Sequence, residues 1–252
     1  MKILRDLIAQ LPDDIPVRSV LVGAHWTVVC SRYCGMAATL MSNHSHGHQQ
    51  VRDVGKLHQK SARELAELAL SSELLEASIG IAAINSLLDV DESKSREINA
   101  SEVLANRGQG KNVALIGHFP FIPQLKNTVG QLWVIEQNPQ EDDYPAEAAA
   151  DLLPKADIVA ITSSTLINHT LDGLLALCPE EALVMLLGPS TPLSPILFDY
   201  GINILSGTRI IDKAAVMSTA GQGASFRQVR GVKLLTFVHE KDHRNNANHH
   251  AT

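Results

Sequence analysis

Residues that could bind a ligand follow five apolar, strand-like segments in the second half of this sequence. Gly117-His118-Phe119-Pro120, Glu136-Gln137-Asn138-Pro139 and Thr162-Ser163-Ser164-Thr165 follow the first three segments. Gly188-Pro189-Ser190-Thr191-Pro192 and Ser206-Gly207 follow the last two. Glycines and hydroxyl residues at such positions often serve only as turn formers and helix caps. Because all five segments share this chemistry, we predict a ligand site built by them together.

The spacing of Gly117 and Glu136 resembles that of nucleotide-binding sheets. Glu136 lies nineteen positions after Gly117, where the acid of a dinucleotide-binding fold reaches a ribose hydroxyl. The second and third glycines of the phosphate-binding motif are absent, however, and Pro120 has no N–H to offer a phosphate. The sequence therefore disfavours a dinucleotide and leaves a nucleoside-type ligand or a small anion open.

The hydroxyl-rich turn that begins at Thr162 precedes a predicted helix over residues 166–178. Backbone N–H groups and hydroxyls at a helix start favour an anion, which makes Ser163 and Thr165 candidate ligands. Asn168 lies in the first turns of this helix and either points into the site or caps a turn. We favour the site, because asparagine is a weak helix former with little other reason to be there.

Histidines offer the next candidate ligands. His44, His46 and His48 alternate along a polar stretch, so in an extended segment their side chains would share one side, as metal ligands do. A loop without a specific role is the alternative reading. His118, at the end of a predicted strand, is better placed as a metal ligand or as a base.

Three cysteines are present: Cys30, Cys34 and Cys178. An odd, low count without an export signal predicts reduced thiols and a cytoplasmic protein. Three residues separate Cys30 from Cys34, and the count excludes a four-cysteine zinc site. Cys34 is either a soft metal ligand or, as we favour, a buried structural thiol.

A parallel sheet must position the strand-end residues. Near-continuous apolar segments separated by helical ones are typical of a parallel sheet covered on both faces. Right-handed connections bring the carboxyl ends of such strands to one edge, outside which ligands bind. The predicted strands are residues 113–116, 131–135, 157–161, 182–187 and 203–205, and the predicted helices are residues 121–128, 145–153, 166–178, 192–200 and 212–219.

The first half of the chain has a different, α+β pattern. A short amphipathic helix buries Ile3, Leu4, Leu7, Ile8 and Leu11 on one face. Two strand-like runs, 17–22 and 27–31, form a predicted hairpin, and 35–40 is a third strand. Helices follow over 61–70, with a capping box from Ser61 to Glu64, and from residue 74 or 79 to residue 88. The polar stretch 89–110 suggests two domains, 1–108 and 109–252.

The net charge and the distribution of apolar residues indicate which kinds of partner to expect. The 252 residues carry a formal net charge of −6 and no lysine- or arginine-rich run, so we expect no nucleic-acid partner. No stretch of eighteen apolar residues is present, and we therefore expect no transmembrane helix and no membrane partner.

The motifs in their order resemble the family described as "putative heavy-metal chelation", formerly a domain family of unknown function. The resemblance runs from Gly80-Ile81-Ala82-Ala83-Ile84-Asn85 through the strand-end motifs to Pro192. It implies an N-terminal domain similar to that of enolase, a C-terminal Rossmann-like domain and a site in the cleft between them. One departure is Asp142-Asp143-Tyr144-Pro145, which keeps a carboxylate but lacks the family's glycine. The cleft residues that the resemblance implies are Asn85, Glu136, Thr162, Ser163, Thr165, Asn168, Gly188, Pro189 and Ser190, to which the strand-end analysis adds Gly117 and His118.

Three functions are compatible with these residues. The first is a small-ligand binding protein that chelates a heavy metal or a metal complex with Glu136 and His118. The second is a transferase-like enzyme that uses a nucleoside-type cofactor such as S-adenosylmethionine at Gly117 and Glu136. The third is an oligomeric scaffold in which the motifs serve packing. The sequence leaves open whether the protein is an enzyme, whether it forms a homo-oligomer and which cofactor it holds.

Overall fold

The computed structural model of the chain describes residues 1–41, 50–96 and 100–239. The predicted residues His44, His46 and His48 lie outside these ranges. The helices are α1 (Lys2–Ala9), α2 (Ala62–Ala66), α3 (Leu74–Leu87), α4 (Ala100–Arg107), α5 (Ile122–Lys126), α6 (Ala149–Leu152), α7 (Ser164–Ile167), α8 (Leu171–Leu175) and α9 (Lys213–Gly221). The strands are β1 (Ser19–Val22), β2 (Trp26–Cys30), β3 (Cys34–Ala38), β4 (Asn112–Ile116), β5 (Gln131–Glu136), β6 (Tyr144–Pro145), β7 (Ile158–Thr162), β8 (Leu183–Leu187), β9 (Ile204–Ile210) and β10 (Val232–Val238).

The second half forms the expected sheet, which has seven strands in the described chain. Its strand order is β10-β9-β8-β7-β4-β5-β6. Six neighbouring strands run parallel, and β10 pairs antiparallel with β9 at one edge. Numbered from β4, the parallel strands have the order of a classic doubly wound sheet. The mixed α/β fold class is thereby confirmed, and all five predicted strands are present.

The first half contains the predicted meander of three antiparallel strands, β1-β2-β3. Helix α1 buries Ile3, Leu4, Leu7 and Ile8, as its periodicity predicts. The Ser61 hydroxyl accepts from the Glu64 N–H, and the Glu64 carboxylate accepts from the Ser61 N–H, so the predicted capping box is present. The apolar face of α1 and the capping box could be predicted because each depends only on residues that are close in sequence.

Helix α3 is the packing centre of the first half. Most of its residues are buried, and it packs on β2, β3, α2 and the 3₁₀ turn Glu67–Leu70. A Cβ at Gly80 would lie 1.9 Å from the backbone nitrogen of Ala69, so only glycine permits this approach. One apolar core continues from α1 and α3 to residues of the large sheet such as Val159 and Leu186.

One helix was not predicted, and two predicted helices differ from the structure. The polar stretch 89–110, where the domain boundary was predicted, contains α4, whose Leu104 is buried with Val113 and Leu115 of the large sheet. The predicted helix 166–178 is two short helices, α7 and α8, and the predicted helix 192–200 is the 3₁₀ segment Pro195–Tyr200. The packing of α4 favours a domain boundary before residue 100, and the two-domain division itself stays a prediction.

The expectation of three reduced thiols is also wrong in this structure. Cys30 and Cys34 form a disulfide, whereas Cys178 is free. The two paired cysteines face each other across the β2–β3 hairpin, which the count of cysteines alone could not reveal. Within the described ranges, no helix combines the length and the apolar character needed to cross a bilayer.

Candidate ligand site at the strand ends

The strand order reverses between β4 and β7, where doubly wound sheets bind their ligands. Gly117 follows β4 with φ of 105°, in the left-handed half of backbone space. A Cβ on Gly117 would lie 3.0 Å from side-chain carbons of Thr162, the last residue of β7. The two predicted site residues therefore lie side by side at the point where the chain turns to opposite sides of the sheet.

His118, the residue after Gly117, is oriented by a carboxylate. Its Nδ1 lies 3.0 Å from Oδ2 of Asp143, and this oxygen also accepts from the Gln140 N–H. The Asp143 side chain is 3 % exposed and that of His118 is 38 % exposed. Because an ionised carboxylate can only accept, Nδ1 is the donating nitrogen in this contact, and Nε2 of a ring in its neutral form has a lone pair for a ligand.

Glu136 ends β5, next to β4, but its carboxylate is folded onto its own turn. Oε2 accepts from the N–H groups of Gln137, at 2.9 Å, and Asn138, at 3.4 Å. These bonds stabilise the turn after β5 and leave Oε1 as the oxygen for an external partner.

The hydroxyl-rich turn after β7 is held by internal hydrogen bonds. The Ser163 N–H donates to the carbonyl oxygen of Leu187, and the Thr165 hydroxyl donates to that of Thr162. Ser163 and Thr165 are almost fully buried. The turn leads into α7, which has only four residues, so the long helix predicted here is wrong and the anion site stays a prediction.

Asn168 explains the break between α7 and α8. Its Oδ1 accepts from the Thr170 hydroxyl at 2.7 Å and from the Thr170 N–H at 3.3 Å, which is the turn-capping geometry. His169, between them, has φ of 61° and places its Nε2 2.8 Å from the carbonyl oxygen of Ala69. The Asn168 oxygen is thus engaged in a turn, and its role toward a ligand stays a prediction.

Asn85 and Ser190 join the two halves of the chain. The Asn85 amide donates to the carbonyl oxygens of Met36, at 3.0 Å, and of Ser190, at 3.1 Å. The Ser190 hydroxyl accepts from the Ala38 N–H at 2.8 Å. Two atoms beside this junction, Asn85 Oδ1 and Thr191 Oγ1, are buried and have no hydrogen-bond partner among the residues that the structure describes. The junction therefore serves packing and also presents unsatisfied polar atoms.

Gly188 and Pro189 shape the turn between β8 and this junction. Gly188 has φ of 122°, and a Cβ there would lie 2.9 Å from the Ser163 hydroxyl oxygen. The Pro189 carbonyl accepts from the Thr208 hydroxyl. Both residues act through their backbone, which brings the ends of β7, β8 and β9 together.

Asp143 is the residue that sequence reasoning missed as a member of this site. The short strand β6, which begins at Tyr144, pairs with the end of β5 and thereby holds Asp143 beside His118. The only sequence signal was the carboxylate retained in the departure from the family's motif. Nothing local indicates a contact between residues 118 and 143.

A large cavity lies elsewhere, between α1 and the segment leading to α3. It is open to solvent, has a volume of about 1070 Å³ and is lined mainly by charged side chains. Arg52 reaches from its rim to Glu76, which is 2 % exposed. Burial would raise the pKa of Glu76, but hydrogen bonds from Arg52 and Ser71 hold it below its usual range. Glu76, Arg52 and Ser71 satisfy one another by hydrogen bonds.

Comparison with known proteins identifies the family. Two family models described as "Putative heavy-metal chelation" match residues 4–88 and 99–239. The chain belongs to this family. An uncharacterized protein of Methanocaldococcus jannaschii is 31 % identical to this member over 186 residues, which are 71 % of this chain and 70 % of the relative.

Two crystal structures of DUF364 family proteins with unknown function have the same fold as this heavy-metal chelation family member. The one from Desulfitobacterium hafniense DCB-2 has a TM-score of 0.81 and 27 % identity, with 94 % of this chain and 98 % of that chain covered. The one from Pyrococcus horikoshii has a TM-score of 0.77 and 20 % identity at the same coverage. The resemblance predicted from the motifs is thus confirmed.

The family description raises the question of which residues could chelate an ion. Within residues 1–41, 50–96 and 100–239, no three His, Cys, Asp or Glu side chains converge as a metal site would require. Burial raises the pKa of the Cys178 thiol to about 11, so this sulfur is not a thiolate near neutral pH. These described residues do not fit a bare ion held by several carboxylate, imidazole and thiolate ligands.

Proposed function

We propose that this protein binds a small ligand at the strand-end edge, and that the ligand is a metal ion already held in a complex. The observation that carries the proposal is the pair of His118 and Asp143. Metal-ligating histidines characteristically donate their second ring N–H to a carboxylate, which fixes the tautomer and makes the other nitrogen a stronger ligand. His118 has this arrangement, with Nε2 as the ligand atom.

A complex fits better than a bare ion at this edge because the described residues place only one such ligand there. A structural zinc site takes four protein donors and a catalytic one takes three, and the described residues bring no three His, Cys, Asp or Glu side chains together. A chelated ion with one open position needs a single imidazole. The hydroxyls and backbone groups of the neighbouring turns would then contact the organic part of the complex.

The first half of the chain would form the opposite wall of this site. Asn85 and Ala38 reach the end of β8 through Ser190, and His169 reaches Ala69. These bonds support a ligand cleft between the two halves, bounded by the ends of β4, β7 and β8.

Isothermal calorimetry with untagged protein and Ni²⁺–nitrilotriacetate tests the proposal, since this complex leaves coordination positions open. The protein should carry alanine at His44, His46 and His48, so that they cannot bind the probe. We expect His118→Ala to weaken binding at least tenfold and Asp143→Asn to weaken it by roughly ten- to a hundredfold, the usual cost of losing an orienting partner.

The matched control is His25→Ala, which removes an exposed imidazole from the β1–β2 turn and should leave the affinity unchanged. Equal affinities for the His118→Ala protein and its parent would overturn the proposal. Binding that is lost in the His25→Ala protein would assign the probe to surface histidines.

A transferase-like use of a nucleoside cofactor is the second candidate. Glu136 supports it, because this residue ends the strand next to β4, where the ribose-binding acid of a Rossmann fold lies. Against it, the helix after β4, α5, begins with Ile122 and Pro123, and no glycine-rich turn precedes it. Thermal-shift measurements with S-adenosylmethionine and adenosine test this candidate, on the wild type and on Glu136→Gln. A rise in Tm that is lost in Glu136→Gln supports a nucleoside site, and no rise in the wild type excludes it.

A further inference from the structure

The β2–β3 hairpin carries a group of sulfur atoms remote in sequence from the strand-end residues. Cys30 and Cys34 are register partners on this hairpin, with their Cα atoms 4.0 Å apart. Met36 shares their face, since residues two apart on a strand point to the same side. Met217, on α9, packs against the same apolar cluster. Two cysteine and two methionine side chains thus belong to one cluster.

We propose that Cys30 and Cys34, once reduced, form a binding site for a soft metal ion, with Cu⁺ as the best match. Thiolate and thioether sulfurs are the ligands that select Cu⁺ over harder ions. A metal–thiolate bond is about 2.3 Å long, so one ion can join two sulfurs roughly 4 to 4.6 Å apart. Once the S–S bond is broken, rotation of each side chain about its Cα–Cβ bond would open the two sulfurs to that separation.

The hairpin holds the two cysteines together without help from the disulfide. Cys30 and Cys34 are paired by the β2–β3 ladder itself. The turn between them is bound to the end of α3, because the Ser31 hydroxyl contacts that of Ser86 at 2.6 Å and the Tyr33 N–H donates to the Ser86 carbonyl. Reduction therefore leaves two thiols facing each other.

The surroundings suit a monovalent ion bound by two thiolates. Cys30 is fully buried and Cys34 is half-buried, so the site is apolar but open on one side. A Cu⁺ ion with two thiolates has a net charge of −1. The guanidinium groups of Arg209 and Arg32 lie 4.0 Å and 5.5 Å from the Tyr33 ring centroid. Both are paired with carboxylates, Arg209 with Glu92 and Arg32 with Asp89, so the hairpin turn is polar but its charges are already balanced.

Loading requires one redox step and one exchange step. A dithiol reductant gives two electrons and two protons to the Cys30–Cys34 disulfide, whose S–S bond breaks, and the reductant becomes a disulfide. Cu⁺ then displaces one proton from each cysteine, and two Cu–S bonds form. Binding is thus possible only in the reduced protein, so redox state would control metal uptake at this site.

Competition for Cu⁺ with the chelator bicinchoninate tests the site. The untagged protein is reduced with a phosphine, freed of reductant under nitrogen and titrated against the coloured Cu⁺–bicinchoninate complex. We expect the reduced protein to remove one equivalent of Cu⁺. The unreduced protein and Cys34→Ser should bind at least a hundredfold more weakly, whereas Cys178→Ser, the matched control, should bind like wild type.

Three results would overturn the proposal: no competition by the reduced protein, equal binding by the unreduced protein, or full binding by Cys34→Ser. Because Cys34→Ser could fold poorly, a measurement on the wild type stands beside it. Cu⁺ should protect Cys30 and Cys34 from alkylation by iodoacetamide, as read by peptide mass spectrometry, and equal alkylation with and without Cu⁺ refutes the site. His118→Ala should not change either result, so failure here is separable from failure at the strand ends.

Discussion

Replacing Ser190 with alanine separates a packing role from a ligand role at the junction of the two halves. Ser190 is 1 % exposed, and its hydroxyl accepts from the Ala38 N–H at 2.8 Å. Alanine removes this acceptor while leaving the backbone carbonyl that Asn85 binds. A donor that loses its partner in a protein interior costs about 1 to 3 kcal/mol.

Ala38 is only partly buried, so water can satisfy some of the lost bond. We therefore expect a loss of about 1 to 2 kcal/mol in the free energy of unfolding. For a chain of this size each kcal/mol lowers Tm by about 2 to 4 °C, which predicts a drop of roughly 2 to 8 °C. Urea denaturation followed by circular dichroism measures the free energy, and a thermal scan measures Tm.

Ser194→Ala is the matched control. Ser194 is 5 % exposed in the same segment, and its hydroxyl makes no hydrogen bond to the described residues. We expect this variant to stay within about 0.5 kcal/mol of wild type. If Ser190→Ala is as stable as Ser194→Ala, the bond to Ala38 does not join the halves, and the Ser190 hydroxyl is free to serve a ligand.

Three further predictions concern a buried charge, a thiol and a glycine. The hydrogen bonds that lower the pKa of Glu76 stabilise the protein above the ordinary carboxyl pKa of about 4.3, and that contribution is lost as pH falls through the lowered value. In urea denaturation, Glu76→Gln should therefore lower the free energy of unfolding by about 2 to 3 kcal/mol at pH 7 and by less in acid. The control Glu73→Gln, at an exposed position, should change it little at either pH. A difference between the two variants that grows as the pH falls would contradict this reasoning. Burial raises the pKa of Cys178 to about 11, so the native, unreduced protein should react slowly with Ellman's reagent at pH 8. After unfolding, one thiol per chain should react. Rapid reaction of the native protein would show an accessible thiolate. Gly188→Ala should lower the free energy of unfolding by about 1 to 2 kcal/mol more than Gly201→Ala. Both glycines have positive φ, but only a Cβ at 188 would clash, with the Ser163 hydroxyl. Equal losses for the two variants would leave backbone strain as the only cause.

The local pattern of the sequence was sufficient for the five predicted strands of the large sheet, for α1 and for the edge where the strand-end residues lie. The apolar runs that predicted five parallel strands are signals carried within a few residues, as are the capping box at Ser61 and the apolar face of α1. Because the connections between parallel strands are right-handed, these strands all point the same way. Gly117 and Thr162 therefore lie at the same edge of the sheet. Helix α4 was missed because it lies at the end of a polar and charged stretch, in which the apolar positions that face the sheet, such as Leu104, form no clear pattern.

Only the tertiary structure decided which of these residues contact one another. His118 and Asp143 are twenty-five positions apart and meet because β6 adds to the edge of the sheet. The Cys30–Cys34 pairing depends on the strand register, and the bond from Ala38 to Ser190 joins residues 152 positions apart. Sequence periodicity reports which side of an element is buried, but not what it is buried against. The partners of a site residue are therefore set by the packing of distant elements, which no local pattern records.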